Sequence, residues 1–257
     1  MCLLALAWKT HPRWRLLMAG NRDEFHERPS APLAHWTDHP RVVAGRDLHS
    51  GGTWAGVDIE GRMAVVTNVR DPAIQLAGAP SRGQLVTGFL AGTDTADHQA
   101  CGLLAAAEVF APFNLLLADG SHCEYVSNYP IPRRTALGPG IHGLSNGDLD
   151  EAWPKTVALK QRMAAWLTSG ETDVAALWTA LADETPADDN DLPDTGVGLA
   201  LERMLSPAFI RGESYGTRAC TLIAIDYDGH GWISERRFGP GGMFEGETTL
   251  RIGRVAQ

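Results

Sequence analysis

The chain is poor in the features that would mark a cofactor, a metal or a membrane. Its four cysteines, Cys2, Cys101, Cys123 and Cys220, stand far apart with no CxxC pair, which argues against a zinc ribbon and against a dense disulfide framework. The nine histidines include no HExxH and no regular metal spacing. There is no Walker A motif, and no dinucleotide fingerprint set between a strand and a helix, so nucleotide cofactors have no support. No stretch approaches the ~18 apolar residues a membrane helix needs. Basic excess is also missing: 22 Lys and Arg against 31 Asp and Glu give a net charge of −9, the wrong sign for nucleic acid or an anionic membrane. The start of the chain lacks the basic n-region and small-residue cleavage site of a signal peptide. Together these absences predict a soluble, cytoplasmic protein with reduced thiols, processed only by loss of Met1, with neither nucleic acid nor an anionic membrane as partner.

Strand and helix signals fill the space. Segments 2–9, 14–19, 41–44, 53–58 and 62–69 predict strands, the last two forming a hairpin around Ile59-Glu60-Gly61. Leu/Ala-rich helical spacing follows at 84–90 and 96–109, then strands at 113–118 and 124–127 across Asp119-Gly120-Ser121. Helices are expected at 154–167, with Pro154 in the first turn, and at 173–182, then an acidic loop at 186–193 and a short helix at 197–205. Strands at 219–226, 231–238 and 248–252 close the chain. Strands at both ends with two helical insertions do not fit βαβ alternation. The pattern predicts an α+β fold of two antiparallel sheets covered by helices, in a single domain spanning 1–257.

Several polar groups sit where strands end. With Met1 removed, Cys2 would carry a thiol nucleophile and a free α-amine that can take the thiol proton; alternatively it is a small buried hydrophobe. Asn21-Arg22-Asp23-Glu24 follows the apolar run Leu16–Ala19 and Gly20, and reads either as a hydrogen-bonding network at a strand-to-loop junction or as a solvated turn. Asn68, Asn128 and Asn146 each follow an apolar run, and each could donate to an oxyanion or merely end its strand. Arg218, before the apolar run 219–225, could bind a carboxylate or form an ordinary surface pair.

Taken in order, Cys2, Asn21-Arg22-Asp23-Glu24, Ala44-Gly45-Arg46-Asp47, Gly51-Gly52-Thr53-Trp54, Thr67-Asn68-Val69-Arg70, Ser81-Arg82-Gly83, Phe113-Asn114-Leu115-Leu116, Gly143-Leu144-Ser145-Asn146 and Trp153-Pro154-Lys155 resemble the NRDE family of transport and Golgi organisation proteins. That resemblance implies an N-terminal-nucleophile hydrolase fold of four αββα layers, distantly related to the cysteine acylases that cleave penicillin V and conjugated bile acids. In such acylases an N-terminal Cys attacks an amide, an Asp holds its amine, Asn groups form the oxyanion hole and arginines support thiolate or substrate. By resemblance, Cys2, Arg22, Asp23, Asn68, Asn128 and Arg218 occupy those stations, with Asn21 and Glu24 as substrate contacts. The acylases carry Gly-Arg-x-x-Asp, whereas this chain has Gly20-Asn21-Arg22-Asp23-Glu24, so Arg and Asp are adjacent. Two functions follow from the family: an amidohydrolase acting on a non-peptide carbon–nitrogen bond, or a non-catalytic carrier in which the same pocket holds haem or a lipid, with Cys or His on the haem iron.

Overall fold

Leu3–Trp8 forms the first strand, β1, and all six of its residues are buried. Leu4, Leu6 and Trp8 enter one apolar cluster while Leu3, Ala5 and Ala7 enter another, so both faces are covered. A strand buried on both sides needs a continuous apolar run rather than alternation, which is what this segment supplies.

The computed structural model describes residues 3–74, 76 and 78–253. Within them β1 pairs with β2 (Trp14–Phe25), and the chain continues through β3 (Ser30–His35), β4 (Val42–Asp47), β5 (Ala55–Asp58) and β6 (Met63–Asn68). Helices α1 (Gly83–Ala91) and α2 (Ala96–Leu104) precede β7 (Phe113–Ala118), β8 (Cys123–Ser127), β9 (Arg133–Ala136) and β10 (Gly140–Leu144). Next come α3 (Pro154–Ser169), α4 (Ala175–Leu181) and α5 (Leu199–Met204), then β11 (Tyr215–Asp226), β12 (Gly231–Phe238) and β13 (Phe244–Ile252). The strands form a six-stranded sheet, β10-β1-β2-β11-β12-β13, and a seven-stranded sheet, β3-β4-β5-β6-β7-β8-β9, with antiparallel pairing throughout.

Three apolar clusters define the layers. One lies between the sheets, joining Leu6, Met18 and Ile223 to Val57, Val65 and Leu116. A second packs Ala19 and Leu222 under Met163 and Trp166 of α3 and Leu177 of α4. The third packs Ala64 and Leu115 under Val86 and Phe89 of α1 and Ala100 of α2. Each such buried aliphatic or aromatic side chain contributes about 1.5–3 kcal/mol over an exposed one. Helix, sheet, sheet, helix is the αββα sandwich that the sequence pattern and the resemblance imply. No helix among the described residues is long and apolar enough to cross a membrane.

Several boundaries differ from expectation, and they matter for the site. Strand β2 runs six residues past Ala19, so Asn21-Arg22-Asp23-Glu24 is strand and not a solvated turn. It is held there on both sides, Leu3 pairing with Asn21 and Thr217 with Asp23. Strand β11 begins at Tyr215, which brings Arg218 inside it, and α2 stops at Leu104. Strands β3, β9 and β10 are additions, and β13 starts before residue 248.

Candidate active site

The pleat of β2 divides its polar residues between two faces. Arg22 and Glu24 turn into a cavity of about 520 Å³, whereas Asn21 belongs to the helical side. Arg22 is only 4% exposed; its guanidinium lies 4.5 Å from the Trp54 ring centre and donates to Ser30 Oγ at 3.3 Å. Its Nη2 is 3.8 Å from Glu24 Oε2, which is also 3.8 Å from Arg28 Nε. Desolvation lowers the Arg22 pKa from its ordinary value, with Glu24 and Asp47 pulling it back up. The Arg28 guanidinium donates to Asp47 Oδ2 through Nε at 2.8 Å and approaches the same oxygen with Nη2 at 2.7 Å. Burial alone would raise the Asp47 carboxyl, but Arg28 and the His49 N–H outweigh it and hold that carboxyl below its usual range.

The opposite wall comes from β6 and α1. Gly52 and Gly83 let the start of α1 abut the β4–β5 connection, since a Cβ on Gly52 would fall 2.7 Å from the Gly83 carbonyl carbon. Ser81 donates to Ser50 Oγ at 3.1 Å, and both hydroxyls line the cavity. Asn68 ends β6 on the same lining, and its side-chain amide makes no hydrogen bond to any described residue. The Asn68 carbonyl accepts from Asn146 Nδ2 at 2.8 Å, while Asn146 Oδ1 accepts from Arg70 Nη2 at 3.3 Å. Arg70 is fixed in turn by Glu202, 2.6 Å from its Nη1. Beyond Asn68 a second cavity of about 370 Å³ is lined by Arg70, Asn146 and Trp153.

The remaining sequence candidates are placed elsewhere. Asn128 is spent: its Oδ1 accepts from the Phe113 N–H at 2.8 Å, and Nδ2 donates to the carbonyls of Ala107 at 2.9 Å and Phe110 at 3.0 Å. With both donors committed it has none for an oxyanion, which corrects the expectation drawn from its position after a strand. Asn21 is fully buried and donates to the carbonyls of Leu181 at 2.8 Å and Ala208 at 2.7 Å. It anchors the helical layer and is not a substrate contact. Asp23 is buried and accepts from Thr217 Oγ1 at 2.7 Å. Arg218 Nη1 donates to the carbonyls of Phe25 at 3.0 Å and Arg28 at 2.8 Å, so it holds the turn that carries Arg28 to the cavity. Cys2 lies outside the described residues; the residue after it, Leu3, opens β1 beside Asn21.

Sequence reasoning gave no role to Arg28, Asp47, Trp54 or Arg82. Three of them stand in short motifs that carried the family resemblance, and that clustering was the available signal. Arg28 had none, because it reaches the cavity from a turn. Among the described residues one group could share a cation, Asp226, Asp228 and His230, in the β11–β12 turn at the far end of β11 from Arg218. There Asp226 Oδ1 already accepts the N–H groups of Asp228 and His230.

Residues 1–240 match the family model described as Transport and Golgi organisation 2. The Transport and Golgi organization protein 2 homolog of Homo sapiens is 32% identical over 92% of both chains. Among solved structures, the fold is similar to penicillin V acylase from Agrobacterium tumefaciens, with a TM-score of 0.54, 12% identity and coverage of 92% of this chain and 83% of that one. It is likewise similar to the Caenorhabditis elegans ortholog of N-acylethanolamine-hydrolyzing acid amidase, with a TM-score of 0.52, 10% identity and coverage of 88% and 93%.

Proposed function

This chain belongs to the Transport and Golgi organisation 2 family, and from that premise we propose that it is a cysteine amidohydrolase acting on a non-peptide carbon–nitrogen bond. The observation that carries this reading is the cavity at the end of β2. It gathers Arg22, Glu24 and the uncommitted Asn68 amide at the sheet end where β1 begins. The likeness of fold to an acylase and an acid amidase is compatible with this reading.

After loss of Met1, the Cys2 thiol would pass its proton to its own α-amine and the sulfur would attack the substrate carbonyl carbon. A C–S bond forms, and the carbonyl electron pair moves onto oxygen. Asn68 Nδ2, at the cavity wall, would donate to that oxyanion. Collapse breaks the C–N bond, the ammonium returns its proton to the departing amine, and water then hydrolyses the thioester. Arg22 would support the thiolate from its desolvated position. A lining of guanidiniums, carboxylates and hydroxyls around Trp54 suits a polar amide better than an apolar cargo, which favours the hydrolase over the haem or lipid carrier. Free thiols at Cys101, Cys123 and Cys220 support a reducing, cytoplasmic setting.

The test is intact-mass analysis of the N-terminus followed by labelling with iodoacetamide near neutral pH. Met1 should be absent and Cys2 should react well ahead of the buried Cys123 and Cys220. Retention of Met1 together with an inert Cys2 overturns the proposal.

A further inference from the structure

Thr217 stands opposite Asp23 in the β2–β11 pairing and is 1% exposed. Its N–H donates to the Ile210 carbonyl at 2.9 Å, and its Oγ1 accepts from the Ile210 N–H at 2.9 Å. A hydroxyl has one proton, and the Ile210 N–H occupies its acceptor side, so that proton is directed at Asp23 Oδ1, 2.7 Å away. The pairing of β11 with β2 slips between Thr217 and Ala219, leaving Arg218 as the extra residue. The irregularity therefore serves two side chains. Thr217 is aimed across at Asp23, while Arg218 turns to the carbonyls of Phe25 and Arg28.

Resting on the hydrolase reading, we propose that Thr217 is a positioning residue that fixes the Asp23 carboxylate in the orientation in which it holds the Cys2 α-ammonium. When the Cys2 thiol proton moves to the α-amine, one thiolate and one ammonium form, and an oriented carboxylate stabilises that pair over neutral thiol and amine. The hydroxyl proton anchors one Asp23 carboxylate oxygen, and the hydroxyl's second bond, to the Ile210 N–H, removes its freedom to turn away. Arg22 and Glu24 flank Asp23 on β2, and Arg218 and Cys220 follow Thr217 on β11. Burial, reinforced by the charge of Asp23, keeps the Cys220 thiol protonated, so it does not compete as a nucleophile.

The test follows Cys2 alkylation by iodoacetamide, read by peptide mass, in Thr217→Val, Thr217→Ser and the unaltered protein. At about pH 7 the Val variant should react about tenfold more slowly, the Ser variant at close to the unaltered rate. At about pH 10, where the thiolate no longer depends on the ammonium, all three should converge. In an Asp23→Asn background, Thr217→Val should add no further slowing. If Thr217→Val does not fold, Thr217→Ala, which empties the site rather than filling it, gives the same reading. Equal rates at about pH 7 for a folded variant without the hydroxyl and the unaltered protein overturn the role of Thr217 while leaving the hydrolase reading intact. Retained Met1 and an inert Cys2 in the unaltered protein overturn both.

Discussion

The ends of β6 and β8 look alike in sequence, an apolar run closing on Asn, yet the two amides are used in opposite ways. Asn128 is locked into three backbone hydrogen bonds that tie the α2–β7 connection to β8. Asn68 reaches the cavity with its side-chain amide unbonded to any described residue, while its backbone carbonyl accepts from Asn146. A polar side chain that completes the backbone is part of the scaffold, whereas one left open beside a cavity is available to a ligand. The same division runs through β2, where Asn21 is committed to the helical layer and Arg22 faces the cavity.

The sharpest break of this contrast is Asn68→Ala. It should lower amide turnover by about 100- to 1000-fold, the loss typical of one oxyanion donor, while the urea midpoint stays nearly unchanged. Steady-state kinetics on a cleaved N-acyl amide, beside a urea melt, checks both halves. Asn128→Ala should do the reverse. Stranding the Phe113 N–H and two carbonyls should cost about 2–3 kcal/mol of stability in the same melt, while the activity of the folded fraction is retained. A large activity loss at unchanged stability in Asn128→Ala would dissolve the distinction between the two strand ends.

A smaller effect is expected at Glu235, a carboxyl committed across the sandwich. Its Oε1 accepts from the Leu33 N–H at 2.9 Å, joining β12 to β3. Burial raises its pKa above the ordinary value, opposed by the Leu33 N–H and by Arg237 and Arg22. A carboxyl whose folded pKa exceeds its unfolded one adds stability below the unfolded pKa and loses it as pH rises through the folded one. Glu235→Gln keeps an acceptor for Leu33 and removes the titration. The variant should therefore gain stability relative to the parent as pH rises from acid toward neutral, as followed by urea melts across that range. A parallel pair of stability curves would count against this assignment.

The layers and the central strands were legible because fully buried segments must be apolar. Strands β1, β5, β6, β7, β8 and β12 fall close to where their apolar runs predict them. What was missed includes the polar ends of the internal strands β2 and β11 and, at the margins, the edge strands β3, β9 and β10, while the fourth edge, β13, was read too short. Edge strands are half solvated and tolerate residues that blunt a strand signal, as Pro32 in β3, Arg133 and Arg134 in β9, and Gly140 and Gly143 in β10 illustrate. The site divides similarly. Ordered motifs pointed to Arg22, Glu24 and Asn68, which the cavity brings together, but gave Asn128 a donor role that its three backbone hydrogen bonds leave no hydrogen for.

By itself the sequence determined two antiparallel sheets covered by helices, the apolar stretches of the central strands and the small set of polar groups that adjoin them, because apolar periodicity is local. Only the tertiary structure decided which polar groups remain open. The partners that commit Asn21 are Leu181 and Ala208, and the partner that aims Asp23 is Thr217, each more than 150 residues distant along the chain. A hydrogen bond is satisfied by proximity and angle. For these side chains, proximity is set by how β2 pairs with β11 and packs under the helical layer.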